Sequence, residues 1–82
     1  MAEKRPKLHF ATGEAIRAER KRRNENQDEF WSRLGVTQSG GSRYESGRTI
    51  PEPVQLLLEL AYGTPAQSAA LLEWLRAEAE RV

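Results

Sequence analysis

The chain has 82 residues, 38% hydrophobic and 30% charged, with no cysteine; this allows one small domain with a modest core and excludes disulfide frameworks and thiolate metal sites. No apolar run approaches the roughly 18 residues of a membrane span, and the opening MAEKRPKLHF lacks the apolar core of a signal peptide, so a soluble cytoplasmic protein is expected. The net charge of +1 conceals a basic front and an acidic back, with eight Lys/Arg against three acids over residues 1–23 but two Arg against five Glu over residues 49–82, a polarity that suits a polyanion on one face.

Apolar spacing is helical along the whole chain, and the expected fold class is all-α, with five short helices. A basic N-terminal arm, residues 1–11, comes first. Thr12 can cap a helix over GEAIRAERKRR, whose apolar side is thin: Ala15, Ile16 and Ala18. A second helix starts at Asn26, where Glu29 completes a capping-box pattern, and it places Phe30, Trp31 and Leu34 on one face. Gly35 suits a left-handed position past its end. Thr37 is the natural cap of the third helix and Gly47 its natural end. After RTIPEP, Pro53 fits the first turn of a fourth helix, VQLLLELAY, which Gly63 ends. Thr64 and Pro65 open a fifth helix, with Leu71, Leu72, Leu75, Ala79 and Val82 predicted on its inner face.

The second and third helices, joined by Leu34, Gly35 and Val36, form a helix-turn-helix pattern. Gly35 permits the sharp turn without a Cβ penalty. Phe30, Leu34, Val36 and Tyr44 are the apolar residues placed to lock the two helices at a fixed angle. Short polar side chains open the third helix, and in this motif those residues enter the major groove. On these residues, positions 16–48 resemble, without a gap, the Cro/C1-type helix-turn-helix of the phage-repressor and xenobiotic-response-element family. Arg20 and Glu45 match an arginine and a glutamate that pair in that family, and Gln27 matches the glutamine that opens helix 2. Leu34 to Gln38 match its LGV(S/T)Q turn, and Glu45 to Gly47 match the E-x-G that closes its recognition helix. Arg48 follows where a basic residue is frequent, and Pro51 starts the run into helix 4.

The resemblance implies a five-helix lambda-repressor-like DNA-binding fold, with the Cro/C1-type helix-turn-helix domain over residues 12–63. Residues 64–82 follow as a C-terminal helix and candidate dimerisation element, since family members usually bind two half-sites as homodimers. Gln38, Ser39, Ser42 and Arg43 would then face the major groove, with Gln38 suited to adenine and Arg43 to guanine. Thr37 and Ser39 suit phosphate or a thymine methyl, Arg48 suits phosphate, and Gln27 stands where helix-start N–H groups attract phosphate. Arg20 and Glu45 would form a structural salt bridge. Lys21, Arg22 and Arg23 offer further phosphate contacts or simply a solvated helix end, and Lys4, Arg5 and Lys7 of the arm either reach a groove or stay free. Leu71, Trp74 and Leu75 are the candidate dimer interface.

Three departures from the family stand out: Trp31 where alanine is usual, Glu25 where an apolar residue is common, and Gly40-Gly41 in place of a small polar and an aliphatic residue. A bulky indole needs space that a missing side chain at Gly41 supplies, so Trp31 and Gly41 are expected to touch. The glycine pair costs on the order of 2 kcal/mol relative to alanine, which caps and packing offset. A bare Cα at Gly40 is expected to let the backbone approach DNA.

Enzyme chemistry finds no foothold. His9 is the single histidine, too little for a metal site; Ser39 and Ser42 lack a base; SGGS is neither a Walker loop nor a dinucleotide fingerprint. No cofactor is expected. The reading is a sequence-specific double-stranded DNA-binding regulator that represses by occupying an operator. The alternative is a protein-interaction adaptor, or an antitoxin-type partner of another protein, that keeps the fold with weak or no specific DNA binding.

Overall fold

The computed structural model describes residues 4–81, so residues 1–3 of the arm and Val82 of the expected helix stripe lie outside the described residues. Five helices and no strand occur among them: α1 Gly13–Arg22, α2 Gln27–Ser32, α3 Gln38–Glu45, α4 Glu52–Tyr62 and α5 Pro65–Glu80. Side-chain oxygens satisfy the free N–H groups that begin four of them. Thr12 Oγ1 accepts from the Ala15 amide at 3.2 Å and Thr37 Oγ1 from the Gly40 amide at 3.1 Å. Asn26 and Glu29 cap each other's backbone at 2.8 and 2.9 Å. Thr64 and Gln67 do the same for α5 at 3.1 and 2.9 Å, a second capping box, of the Thr-x-x-Gln form. Gly35, between α2 and α3, has φ +77°, a left-handed geometry that a side chain would disfavour. Asn24 takes the same region after α1, with φ +59°.

The core gathers Ile16, Phe30, Trp31 and Leu58, all fully buried, with Phe10, Ile50 and Tyr62 nearly so. Leu34, Val36, Tyr44 and Val54 pack against it. α2 rests on α3, α1 on α3, and α4 on α5. Tyr62 joins the halves: its ring stacks on Phe30 at 4.1 Å and its hydroxyl donates to the Phe30 carbonyl. Ala18 is exposed, so α1 buries little beyond Ile16.

The described part of the arm docks on the fold through Arg5, His9 and Phe10, while Lys4 and Lys7 are exposed. Phe10 inserts into the core, and the backbone N–H and Nδ1 of His9 lie 2.8 and 2.6 Å from the two oxygens of Glu59 on α4. Arg5 pairs with Glu52. Glu59 is 1% exposed, and a carboxylate that deep needs donors; the arm supplies them. The α5 stripe is also narrower than expected. Leu71 is fully buried and Leu75 half-buried, but Leu72 is 49% exposed and Ala79 faces solvent. The hydroxyl of Ser68 donates to the Leu60 carbonyl at 2.7 Å, pinning α5 to α4. With Leu71 turned inward, Leu72 lies about 100° further round the helix, on the open side.

Phe10→Ala should therefore lower the unfolding free energy by about 3 kcal/mol, read from urea denaturation. A loss below about 1 kcal/mol, no more than an average point substitution costs, would show that the arm is not part of the core.

Candidate nucleic-acid interface

The third helix is built from residues that hold a helix weakly, yet it is clamped along its inner side. Glu45, its last residue, is 4% exposed and collects donors from three directions. Arg20 of α1 gives Nε to one carboxylate oxygen and Nη2 to the other, each at 2.9 Å. The Trp31 indole of α2 donates Nε1–H at 2.8 Å, and the Gln27 amide donates at 3.3 Å. Arg17 Nη2 reaches the Glu45 backbone carbonyl at 2.8 Å. Burial pushes the Glu45 carboxyl up, but the bonds from Arg20, Trp31 and Gln27 and the Arg20 charge outweigh it and hold the group below its ordinary 4.5.

Higher on the same side, the Trp31 ring lies directly against Gly41. A Cβ on Gly41 would overlap the five-membered ring of the indole, so the two departures meet in one contact. Trp31 also packs against Tyr44 at 5.6 Å between centroids. Gly13 makes a third close approach: a Cβ there would fall 2.6 Å from the carbonyl oxygens of Tyr44 and Glu45, so α1 runs tight against the end of α3. Gly40 has a different task from the expected one. A Cβ there would press on Thr37 Oγ1 at 3.3 Å and Val36 Cγ1 at 3.4 Å. Its bare Cα therefore relieves crowding at the cap, on the side of the turn.

The outer side of α3 carries the polar row. Gln38, Ser39 and Arg43 are exposed and Ser42 is half-buried beside them. Thr37 is exposed too; its oxygen takes the Gly40 N–H, which leaves its hydroxyl proton free to donate. Arg43 and Arg48 are exposed, and neither side chain is paired among the described residues. The N–H groups at the start of α3 open toward the same side, where anions are favoured. Gln27 is placed differently from these. Its amide turns inward to Glu45, so its side chain supports α3 from behind. Of the basic cluster ending α1, Arg22 and Arg23 pair with Glu19 at 2.5 and 2.8 Å, and Lys21 is exposed.

Arg17 is the functional residue that sequence reasoning passed over. It sits among other basic residues with no motif to single it out, and only the fold brings it to the end of α3. The proposed dimer residues need correction. Leu71 is fully buried inside the fold and cannot meet a partner. Trp74 is half-buried and borders a groove with Leu8, Ala11 and Gln55, beneath the docked arm. Among the described residues, the large apolar side chains left exposed are Leu57, at 43%, and Leu72.

A family model described as an RsaL-like HTH domain matches residues 17–61, from within α1 to the end region of α4. No curated protein and no solved structure matches the chain.

Replacing Glu45 by Gln should cost about 3 kcal/mol at neutral pH, because Arg20 is left without its buried counter-charge. The pH profile should change as well. A carboxyl held below 4.5 when folded stabilises the fold above that value, and the contribution disappears as pH falls through the folded value. Glu45→Gln should accordingly lose less stability than the wild type on acidification below about pH 4.5. Glu19 and Glu25, also lowered, through Arg22 and Arg33 respectively, leave some acid dependence in both. Parallel profiles from chemical denaturation across pH 3–7 would contradict this.

Proposed function

The chain belongs to the RsaL-like helix-turn-helix family and is a DNA-binding transcription regulator; from that premise we propose that it recognises a specific duplex sequence through α3 and represses by occupying an operator that overlaps a promoter. The observation that carries this is the division of α3 into a clamped inner side and an outer row of Thr37, Gln38, Ser39, Ser42 and Arg43. Glutamine and arginine are the two side chains suited to bidentate contact with adenine and guanine edges, each good pair giving roughly 1–3 kcal/mol of discrimination. In this reading Thr37, Arg48 and Lys21 meet phosphates and set the register without reading sequence. Gln27 contributes from behind, through Glu45, and through its backbone N–H at the start of α2. The resemblance to the Cro/C1 pattern supports the same register of α3 on DNA.

The protein acts as a homodimer in this proposal, on two half-sites about one helical turn apart. The contact is drawn from the C-terminal helix, with the half-buried Trp74 and Leu75 and the exposed Leu72 in place of Leu71. A cytoplasmic location follows from the task. No described helix is long and apolar enough to cross a membrane. A second reading, the adaptor or antitoxin-type partner, is favoured by the exposed pair Leu57 and Leu72 and by the small net charge.

Selection from a random duplex library separates the two. The wild-type chain should enrich a pair of two-fold-related half-sites, and Arg43→Ala should lose preference at one base pair per half-site by about tenfold, with weaker loss elsewhere. No enrichment even at low salt, where phosphate contacts are strongest, would favour the adaptor.

A further inference from the structure

We infer that Trp31 is a positioning residue for base readout, fixing the roll of the C-terminal half of α3 and so the aim of Arg43, while the N-terminal half carrying Gln38 is held separately. The inference rests on the DNA-reading function proposed above. Two anchors hold α3, and they lie on either side of the glycine pair. At the start, the Thr37 hydroxyl caps the Gly40 amide and Val36 packs on the core. At the end, the indole lies against the bare Cα of Gly41 and its Nε1–H is bonded to Glu45. Arg43 stands between those last two contacts in sequence and on the exposed side.

Two glycines soften the hydrogen-bonded helix between the two anchors, because neither brings a side chain to stiffen it. The anchor at Thr37 therefore fixes Arg43 less firmly than the contact beside it at Gly41 does. Arg17, the tight approach of Gly13 and the bonds from Arg20 and Gln27 hold the last turn of α3 at Glu45, and the indole extends that hold one turn back, to Gly41. It is fully buried, it fills the space where position 41 would carry a side chain, and it is tied to the same carboxylate as Arg20. A misaim of about 1 Å is enough to spoil a bidentate contact.

The test uses the full chain and the duplex that the wild type enriches from a random library. Arg43→Ala and Gln38→Ala first assign which base pair each side chain reads. Trp31→Phe, which keeps a ring against Gly41 and removes the indole N–H and the outer six-membered ring, is then selected against the same library. The expected result is a preference at the Arg43 base pair reduced about tenfold, with the Gln38 preference within about twofold and helical content unchanged by circular dichroism. Equal loss at both base pairs, or no loss at either, overturns the inference while leaving DNA reading intact. Failure of the wild type to enrich any sequence removes both. Should Trp31→Phe not fold, the indole proton decides the matter in a Trp74→Phe background, where Trp31 is the single tryptophan: slow solvent exchange of Nε1–H supports the anchor, and free exchange overturns it.

Discussion

A carboxylate buried as deeply as Glu45 costs several kcal/mol unless donors replace the water it has lost. Here the replacement is a planar fork from Arg20, an indole N–H and an amide, arriving from α1 and α2 onto the last residue of α3. The net contribution of such a cluster to stability is modest, since gain and desolvation nearly cancel. Its consequence is geometric. Only one placement of the three helices satisfies all the donors at once, and any other leaves a charge stranded. The first three helices are therefore held in register by a polar constraint as well as by their apolar core, and the outer face of α3 inherits a fixed direction.

That lock explains how a helix reading QSGGSRYE survives. Two central glycines, two serines and no aliphatic residue make a poor helix by propensity. Packing overrides it, as it does for most short helices. The glycines also serve the packing: at Gly41 the missing side chain admits Trp31, and at Gly40 it relieves the cap. The apparent weakness of the segment is thus the reverse side of an unusually large residue on α2. The arm and the α4–α5 pair form a second unit of the same kind, with Glu59 and His9 in the roles of buried carboxylate and donor.

Much of this was legible in the residues because the signals were local. Thr12, Asn26, Thr37 and Gly35 act within a turn of their own position, so their caps and the sharp bend could be read directly, and the pattern from Arg20 to Glu45 carried the helix-turn-helix. The link between Trp31 and Gly41 could be argued from volume alone. What escaped was non-local. Nothing near Phe10 says that its ring enters a core gathered from residues as far apart as Ile16 and Tyr62, and nothing near Arg17 marks it from its basic neighbours. Gln27 looked outward because a helix start attracts anions, whereas the inward carboxylate that claims it lies on another helix. The stripe of α5 is narrower than its leucines suggest because the helix is covered on one side only, by α4, and Leu72 lies past the edge of that contact.

In the proposed function the clamped inner side of α3 serves to present its outer side to duplex DNA. Titrating the ¹⁵N-labelled chain with the selected duplex, and following backbone amides and the arginine side chains by NMR, tests it most directly. The account predicts shifts concentrated on Thr37 to Arg43 and at Arg48, with Glu59 and the buried side of α5 nearly still. Shifts confined to α4 and α5 around Leu57 and Leu72, with α3 unmoved, would contradict it and assign the chain's business to another protein.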